Sequence, residues 1–159
     1  MANATKTNAV RLLEKAKIDF ETIPYEVDEN DLAANHVAQQ LGEDIATVFK
    51  TIVLSGGPSQ FFVCVVPGDA EIDLKKAAKT AGYKKVDLIP MKDLLPITGY
   101  IRGGCSPVGM KKKFPTFFHH SALDHQYIYV SAGVRGLQIK IEPSQLIGFV
   151  GASTADLIK

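Results

Sequence analysis

Between Gly99 and Gly109 the chain places four glycines and one proline in eleven residues: Gly99-Tyr100-Ile101-Arg102-Gly103-Gly104-Cys105-Ser106-Pro107-Val108-Gly109. Neither a helix interior nor a central strand tolerates that density of glycine and proline. A long loop must therefore interrupt the chain past its midpoint. Lys111, Lys112 and Lys113 follow almost at once. Backbone N–H groups exposed beside fixed positive charge suit a phosphate or an oxyanion.

The periodic segments around this loop set the fold class. Ala9, Leu12, Leu13 and Ala16 share one face at helical spacing, with Thr5 or Thr7 as cap. Phe20 to Val27 is strand-like, and Pro24 assigns it to an edge or a bulge. Ala33 to Leu41 predicts a second helix stopped by Gly42. Val48–Leu54 and Phe61–Val66 are β-rich runs joined by a turn at Ser55-Gly56-Gly57-Pro58-Ser59. Asp73 can cap a third helix that ends at Gly82, and Lys84–Ile89 reads as a strand. Pro90–Leu95 allows one helical turn, as does Pro143–Ile147. Thr116–His119, Gln126–Ser131 and Leu137–Ile141 are further strands, and the tail can add a short one. Helices and strands do not alternate strictly, so the expectation is an α+β fold with a mixed sheet or barrel.

Length and composition, 159 residues with 46% hydrophobic and 22% charged, fit one domain spanning residues 1–159. The longest apolar run, Phe61 to Val66, is too short to span a bilayer. Met1 to Lys6 has no apolar signal-peptide core, so a cytoplasmic location and no membrane partner are expected. Cys64 and Cys105 make no disulfide framework, and no Cys/His cluster has zinc spacing. His119 and His120 are adjacent, which in a strand puts them on opposite faces. No metal and no cofactor are expected.

Charge is unevenly spread. Residues 1–74 carry five Lys/Arg and twelve Asp/Glu, whereas residues 75–113 carry ten Lys/Arg and two Asp. Such a basic central segment fits an anionic partner such as nucleic acid. It also fits a lysine-rich surface paired with the acidic first part of the same chain.

Lys50 is the sharpest single residue. Alternation puts it on one strand face with Val48, Ile52 and Leu54. A lysine on an apolar face needs a partner or a cleft, unless its stem packs while its ammonium reaches water. In a cleft it can anchor a phosphate or a carbonyl, or serve as a base. Ser106 and Cys105 have no sequence pattern pairing them with a His and an acid, so a covalent nucleophile is not expected. The loop lacks the Gly-Lys-Ser/Thr ending of a P-loop. A second glycine-bearing turn, Ser131-Ala132-Gly133-Val134-Arg135-Gly136-Leu137-Gln138, lies between two strands.

Four of these segments together resemble the YbaK/EbsC-type family of aminoacyl-tRNA deacylases, whose fold also occurs as the editing insertion of bacterial prolyl-tRNA synthetases. They are Tyr25-Glu26-Val27-Asp28, Val48-Phe49-Lys50-Thr51, the glycine loop Gly99 to Gly109, and Val130 to Leu137. They stand in family order, and the resemblance spans nearly the whole chain. It implies a free-standing editing domain and a barrel-like mixed β-sheet flanked by helices. It also implies release of a wrongly attached amino acid from tRNA, foremost cysteine from tRNA(Pro) and in part from tRNA(Cys). Lys50 falls on the family's essential lysine. Tyr25, Thr51, Gly103 or Gly104, and Ser131 fall on positions that hold the aminoacyl-adenosine end. Ser106 and Gln138 join them as expected substrate contacts, with Arg102, Lys111, Lys112, Lys113 and Arg135 as expected RNA contacts. The resemblance further implies a cyclic thiolactone product through the substrate's own thiol, and prolyl-tRNA synthetase as a partner. Val27 stands where relatives usually have His, and Gln138 where they often have Asp. A non-catalytic tRNA- or synthetase-binding module of the same fold is the alternative reading, and a small-molecule or nucleotide hydrolase a third.

Overall fold

The computed structural model describes residues 6–159. Thr5 and the rest of the first five residues lie outside the described residues. Thr7 is the cap of the first helix, α1 (Asn8–Lys15), its hydroxyl accepting the Val10 N–H at 3.1 Å. The second helix, α2 (Ala34–Leu41), ends where Gly42 turns left-handed, at φ 70°. The third, α3 (Leu74–Ala81), starts on Asp73, whose carboxylate accepts the N–H groups of Lys75 and Lys76, and stops at Gly82. Helix α4 (Leu94–Thr98) follows a 3-10 turn over Met91–Asp93. The last helix, α5 (Pro143–Val150), runs beyond the single turn expected, and the chain leaves it at Gly151, φ 68°.

The strands are β1 (Phe20–Pro24), β2 (Phe49–Ser55), β3 (Phe61–Pro67), β4 (Asp87–Leu88), β5 (Thr116–His119), β6 (Ile128–Ser131), β7 (Leu137–Ile141) and β8 (Ser153–Ala155). One sheet has the order β1-β7-β6, and the other β4-β2-β3-β5-β8. The second sheet is mixed: β2–β3 is an antiparallel hairpin, and β3–β5 and β5–β8 are parallel. Pro24 ends the edge strand β1, where its missing N–H costs no ladder bond. Of the strand expected over Lys84–Ile89, only Asp87 and Leu88 pair, against the far end of β2.

A parallel bridge between Val48 and Tyr129 joins the two sheets. Among the described residues the pairings do not close into a ring. The mixed α+β architecture therefore holds, with the two sheets meeting at one bridge and no closed barrel among the described residues.

Helices cover both faces of this sheet system. On one face, Ala9, Val10 and Leu13 of α1 and Leu146 of α5 pack with Phe49, Val53, Val65, Phe118, Ile128, Val130, Ile139 and Ile141. The opposite face is covered in two pieces. Ala77 and Ala78 of α3 pack with Leu54, Phe62, Cys64 and Val66. Val37 and Ala38 of α2 pack with Val48 and Tyr129.

Candidate functional site

Lys50 lies between those two pieces. Successive strand side chains point to opposite faces, so Lys50 shares a face with Val48, under α2, and with Leu54, under α3, as alternation predicts. It is half-buried, and burial lowers its pKa from the usual lysine value, with the negative charges of Asp69 and Glu71 acting in the opposite direction. Among the described residues no carboxylate reaches ion-pair distance of its ammonium. Asp69 and Glu71 drew no attention in the sequence. The signal was the β2–β3 pairing, which sets Phe49 opposite Pro67 and so returns the following loop to the Lys50 end. Gly68 fixes that return by donating its N–H to the Val48 carbonyl at 2.7 Å.

The Val48–Tyr129 bridge also brings the second glycine turn to Lys50. Two residues further along each chain segment from this isolated bridge come Lys50 and Ser131, which alternation keeps on the same side as Val48 and Tyr129. Ser131 pairs with Gln138, and Gln138 with Ile23. Lys50, Ser131 and Gln138 thus form a row across β2, β6 and β7, with Tyr25 beyond the end of β1. Tyr25 donates its backbone N–H to Gly136 O at 2.9 Å, which holds it against the turn.

The polar atoms of the row are unevenly occupied. Ser131 Oγ accepts the Gly133 N–H at 3.1 Å, leaving its own hydrogen free to donate. Gln138 is 5% exposed, and its Oε1 is buried without a hydrogen-bond partner. Such an orphaned acceptor costs free energy until a donor reaches it.

The glycine loop docks on the same turn. A Cβ at Gly104 would stand 3.2 Å from Val134 Cα and 3.3 Å from Arg135 N, so any larger residue would have to push the turn back by a few tenths of an ångström. Gly103, at φ 85°, lies beside Leu32 and the Arg135 side chain. Arg135 Nε donates to Arg102 O at 2.8 Å, and its guanidinium stands 3.9 Å from Glu29. Arg135 therefore ties the turn to the loop as well as lending charge. The Gly104 N–H is spent on Ile101 O at 2.9 Å, so it is not a free oxyanion donor.

Other expected contacts lie elsewhere. Thr51 faces the side of β2 opposite Lys50, with Phe49 and Val53, and its Oγ1 is buried without a partner. Ser106 is fully buried, its Oγ accepting the Val108 N–H at 3.2 Å; in this conformation it braces the loop and has no access to a substrate. Burial pushes the Cys105 thiol up to about 12, which leaves almost no thiolate at neutral pH. Lys112 and Lys113 line a hollow with Leu12, Phe149 and Val150, in the α1/α5 layer on the other side of the sheets from Lys50. Lys111 Nζ points to Pro96 O at 3.4 Å. His119 and His120 do not take opposite faces, because β5 ends at His119 and the two rings lie 4.3 Å apart. With Asp156 they form a cluster of donor atoms within 4.8 Å of one another. Two of its three members are engaged: His119 Nδ1 accepts the Leu157 N–H at 3.2 Å, and Asp156 pairs with Lys76 at 2.9 Å.

Residues 29–149, which include Lys50, Ser131 and Gln138, match the family described as aminoacyl-tRNA editing domain. The chain belongs to that family. A relative within reach of this editing family, the "Putative Cys-tRNA(Pro)/Cys-tRNA(Cys) deacylase EbsC" of Enterococcus faecalis, is 43% identical over 96% of this chain and 93% of its own. A "Proline--tRNA ligase" of Trichlorobacter lovleyi is 32% identical over 75 residues, 47% of this chain and 13% of the ligase. A solved structure of "a putative trans-editing enzyme for prolyl tRNA synthetase" superposes with TM-score 0.82, covering 98% of this chain and 99% of that one, at 21% identity. That last likeness shows the editing-domain fold alone. No helix among the described residues is long and apolar enough to cross a membrane.

Proposed function

We propose that this chain is a deacylase that acts in trans, as a single unit in the cytoplasm, releasing a wrongly attached amino acid from tRNA. Its foremost substrate is Cys-tRNA(Pro), with Cys-tRNA(Cys) second. The observation that carries the reading is the row of Lys50, Ser131 and Gln138. It combines a half-buried ammonium without a carboxylate partner, a hydroxyl free to donate, and an orphaned amide oxygen. The name of the 43% identical relative supports the substrate. The likeness to a proline--tRNA ligase supports prolyl-tRNA synthetase as the partner that supplies tRNA selection.

An aminoacyl ester is already activated, so positioning and charge stabilisation supply most of the rate. Lys50 holds the negatively charged 3′ end of the tRNA. Ser131 donates to an ester or ribose oxygen, and Gln138 Oε1 accepts from the substrate's amino group. Gln138 does so as a neutral amide, a weaker pairing than a carboxylate would give. With cysteine as the amino acid, its sulfur attacks the ester carbon. The S–C bond forms, the C–O bond to the tRNA breaks, and the thiol proton passes to the leaving 3′ oxygen, giving a thiolactone. Attack by water gives free cysteine instead.

The test compares the wild type and Lys50→Ala on tRNA(Pro) charged with Cys, Ala, Ser or Pro. Fast loss of Cys that disappears in Lys50→Ala, with Pro retained, is the expected result. Wild-type rates in the variant would remove Lys50 from the mechanism, and no loss of any amino acid would leave a tRNA-binding module.

A further inference from the structure

The basic segment from residue 75 to 113 holds ten Lys/Arg. Among the described residues only one of the ten, Lys76, enters an ion pair, and its partner Asp156 belongs to the end of the chain. None pairs with the acidic first 74 residues. Charge neutralisation within the chain therefore does not account for this segment.

The unpaired lysines divide between the two helical layers. Lys112 and Lys113 belong to the α1/α5 layer. Lys75, Lys79, Lys84 and Lys85 belong to the α3 layer, which covers the face that carries Lys50. Helix α3 turns its small side chains, Ala77 and Ala78, to the sheet and leaves Lys75 and Lys79 exposed. These two are one helical turn apart, a rise of about 6 Å. The segment that leads into the helix leaves β3 at Pro67, opposite Phe49, and carries Asp69 and Glu71, whose charges act on Lys50. Lys75, one residue into the helix, lines a hollow with Glu71, Asp73 and Leu88. The helix finishes over the hairpin turn, where the Tyr83 ring packs on Gly56 and stacks on Phe62. Lys75 and Lys79 thus stand on the helix between the segment that carries Asp69 and Glu71 and the hairpin turn, and Lys84 with Lys85 follow Tyr83 at that turn, beside a strand whose five steps from Lys50 to Ser55 span about 17 Å. Two acids near the start of this row are committed elsewhere. Asp73 caps α3, and Glu71 pairs with Lys159 at 3.0 Å.

We infer that the exposed face of α3 and its continuation through Lys85 is the track for the phosphate backbone of an RNA whose 3′ end lies at Lys50. This rests on the proposed deacylase reading for the position of the 3′ end. It moves the main RNA contact away from Lys111–Lys113, the lysines favoured by sequence, because those on the opposite layer face away from an acceptor stem leaving Lys50.

The experiment uses the full chain with three double variants: Lys75→Ala with Lys79→Ala, Lys84→Ala with Lys85→Ala, and Lys112→Ala with Lys113→Ala. Each is assayed for Kd on uncharged tRNA(Pro) against salt, and for kcat/KM on Cys-tRNA(Pro) and on a cysteinylated CCA trinucleotide. Removing two phosphate contacts flattens the log–log salt slope by about 1.8 and weakens binding about 60-fold at 0.1 M salt. Those losses are expected for the two α3-side variants on whole tRNA, with the trinucleotide cleaved as by wild type. The reverse ranking, in which only the Lys112/Lys113 variant loses tRNA affinity, overturns the inference, as does unchanged affinity in the α3-side variants. Equal losses on the trinucleotide also overturn it, since they mean damage to the site. If wild type cleaves neither substrate the deacylase reading fails, and the Kd measurements still decide the RNA track.

Discussion

Gly104→Ala isolates a steric constraint at the meeting of the glycine loop and the Ser131–Leu137 turn. Gly104 is not among the glycines with positive φ, so alanine takes its backbone conformation without strain. The whole effect comes from the added methyl group. That methyl would stand 3.2 Å from Val134 Cα and 3.3 Å from two further backbone atoms, Arg135 N and Val134 C. Backbone cannot swing aside as a side chain does, so the turn must shift by a few tenths of an ångström. Overpacking of this kind costs about 1–3 kcal/mol. Gly148→Ala is the internal control. It makes the same chemical change inside α5, where an added Cβ meets nothing within 4 Å, and replacing a helical glycine with alanine gains about 0.5–1 kcal/mol. In a chain of this length each kcal/mol moves Tm by roughly 2–4 °C. The two variants should therefore shift Tm in opposite directions, Gly104→Ala by roughly −2 to −12 °C and Gly148→Ala by roughly +1 to +4 °C. Because the turn carries Ser131 and leads into Gln138, Gly104→Ala should also lower kcat/KM, toward the ~10²-fold loss that a 1 Å misplacement brings. Calorimetry and deacylation rates read both effects. A Gly104→Ala protein as stable and active as wild type would refute the close approach on which this reasoning depends.

Further outcomes follow from single groups. Burial lowers the Lys50 pKa, so the alkaline limb of deacylation should fall at a lower pH than an ordinary lysine, near 10.5, would give. A kcat/KM profile to pH 11 that stays flat until 10.5 would contradict this. The folded-state pKa of His119 is lowered, chiefly by burial and then by His120, so the unfolded chain binds a proton more readily. That contribution to stability is complete above about pH 6.5 and is lost as pH falls below it through the folded-state value. The urea midpoint should drop between pH 7.5 and 5.5, and His119→Gln should flatten the drop. Asp73→Ala removes an acceptor from two α3 N–H groups, at 2.9 and 3.1 Å, and should cost about 1 kcal/mol in urea unfolding.

Elements governed by local chemistry are legible in the sequence. Gly42 and Gly82 end their helices in the left-handed conformation that glycine favours, and Asp73 and Thr7 cap as their side chains allow. Alternation alone assigns Lys50 to its face. The same alternation puts Thr51 on the other face, although the family motif groups the two residues. What the sequence does not reveal depends on partners distant in the chain. The strand run around Lys84–Ile89 is cut short because Asp87 already stands opposite Ser55, the last residue of β2, which leaves Lys84–Val86 nothing to pair with. The role of Ser106 follows from burial of the loop interior, which its turn-forming sequence does not disclose. The row of Lys50, Ser131 and Gln138 exists because two strands meet in parallel at one bridge, and no local pattern announces that pairing.

The Val48–Tyr129 bridge also sets a timetable. Eighty-one positions separate Lys50 from Ser131, so at ~5–20 residues per second a ribosome needs roughly 4–16 s between making one and making the other. The β2–β3 hairpin can form early in that interval, with Lys50 in place and nothing across from it. The three-residue row is completed only after β6 and β7 have emerged. A nascent or prematurely terminated chain lacking those strands would carry the lysine without its two polar companions, so competence at this site reports that synthesis has passed Gln138.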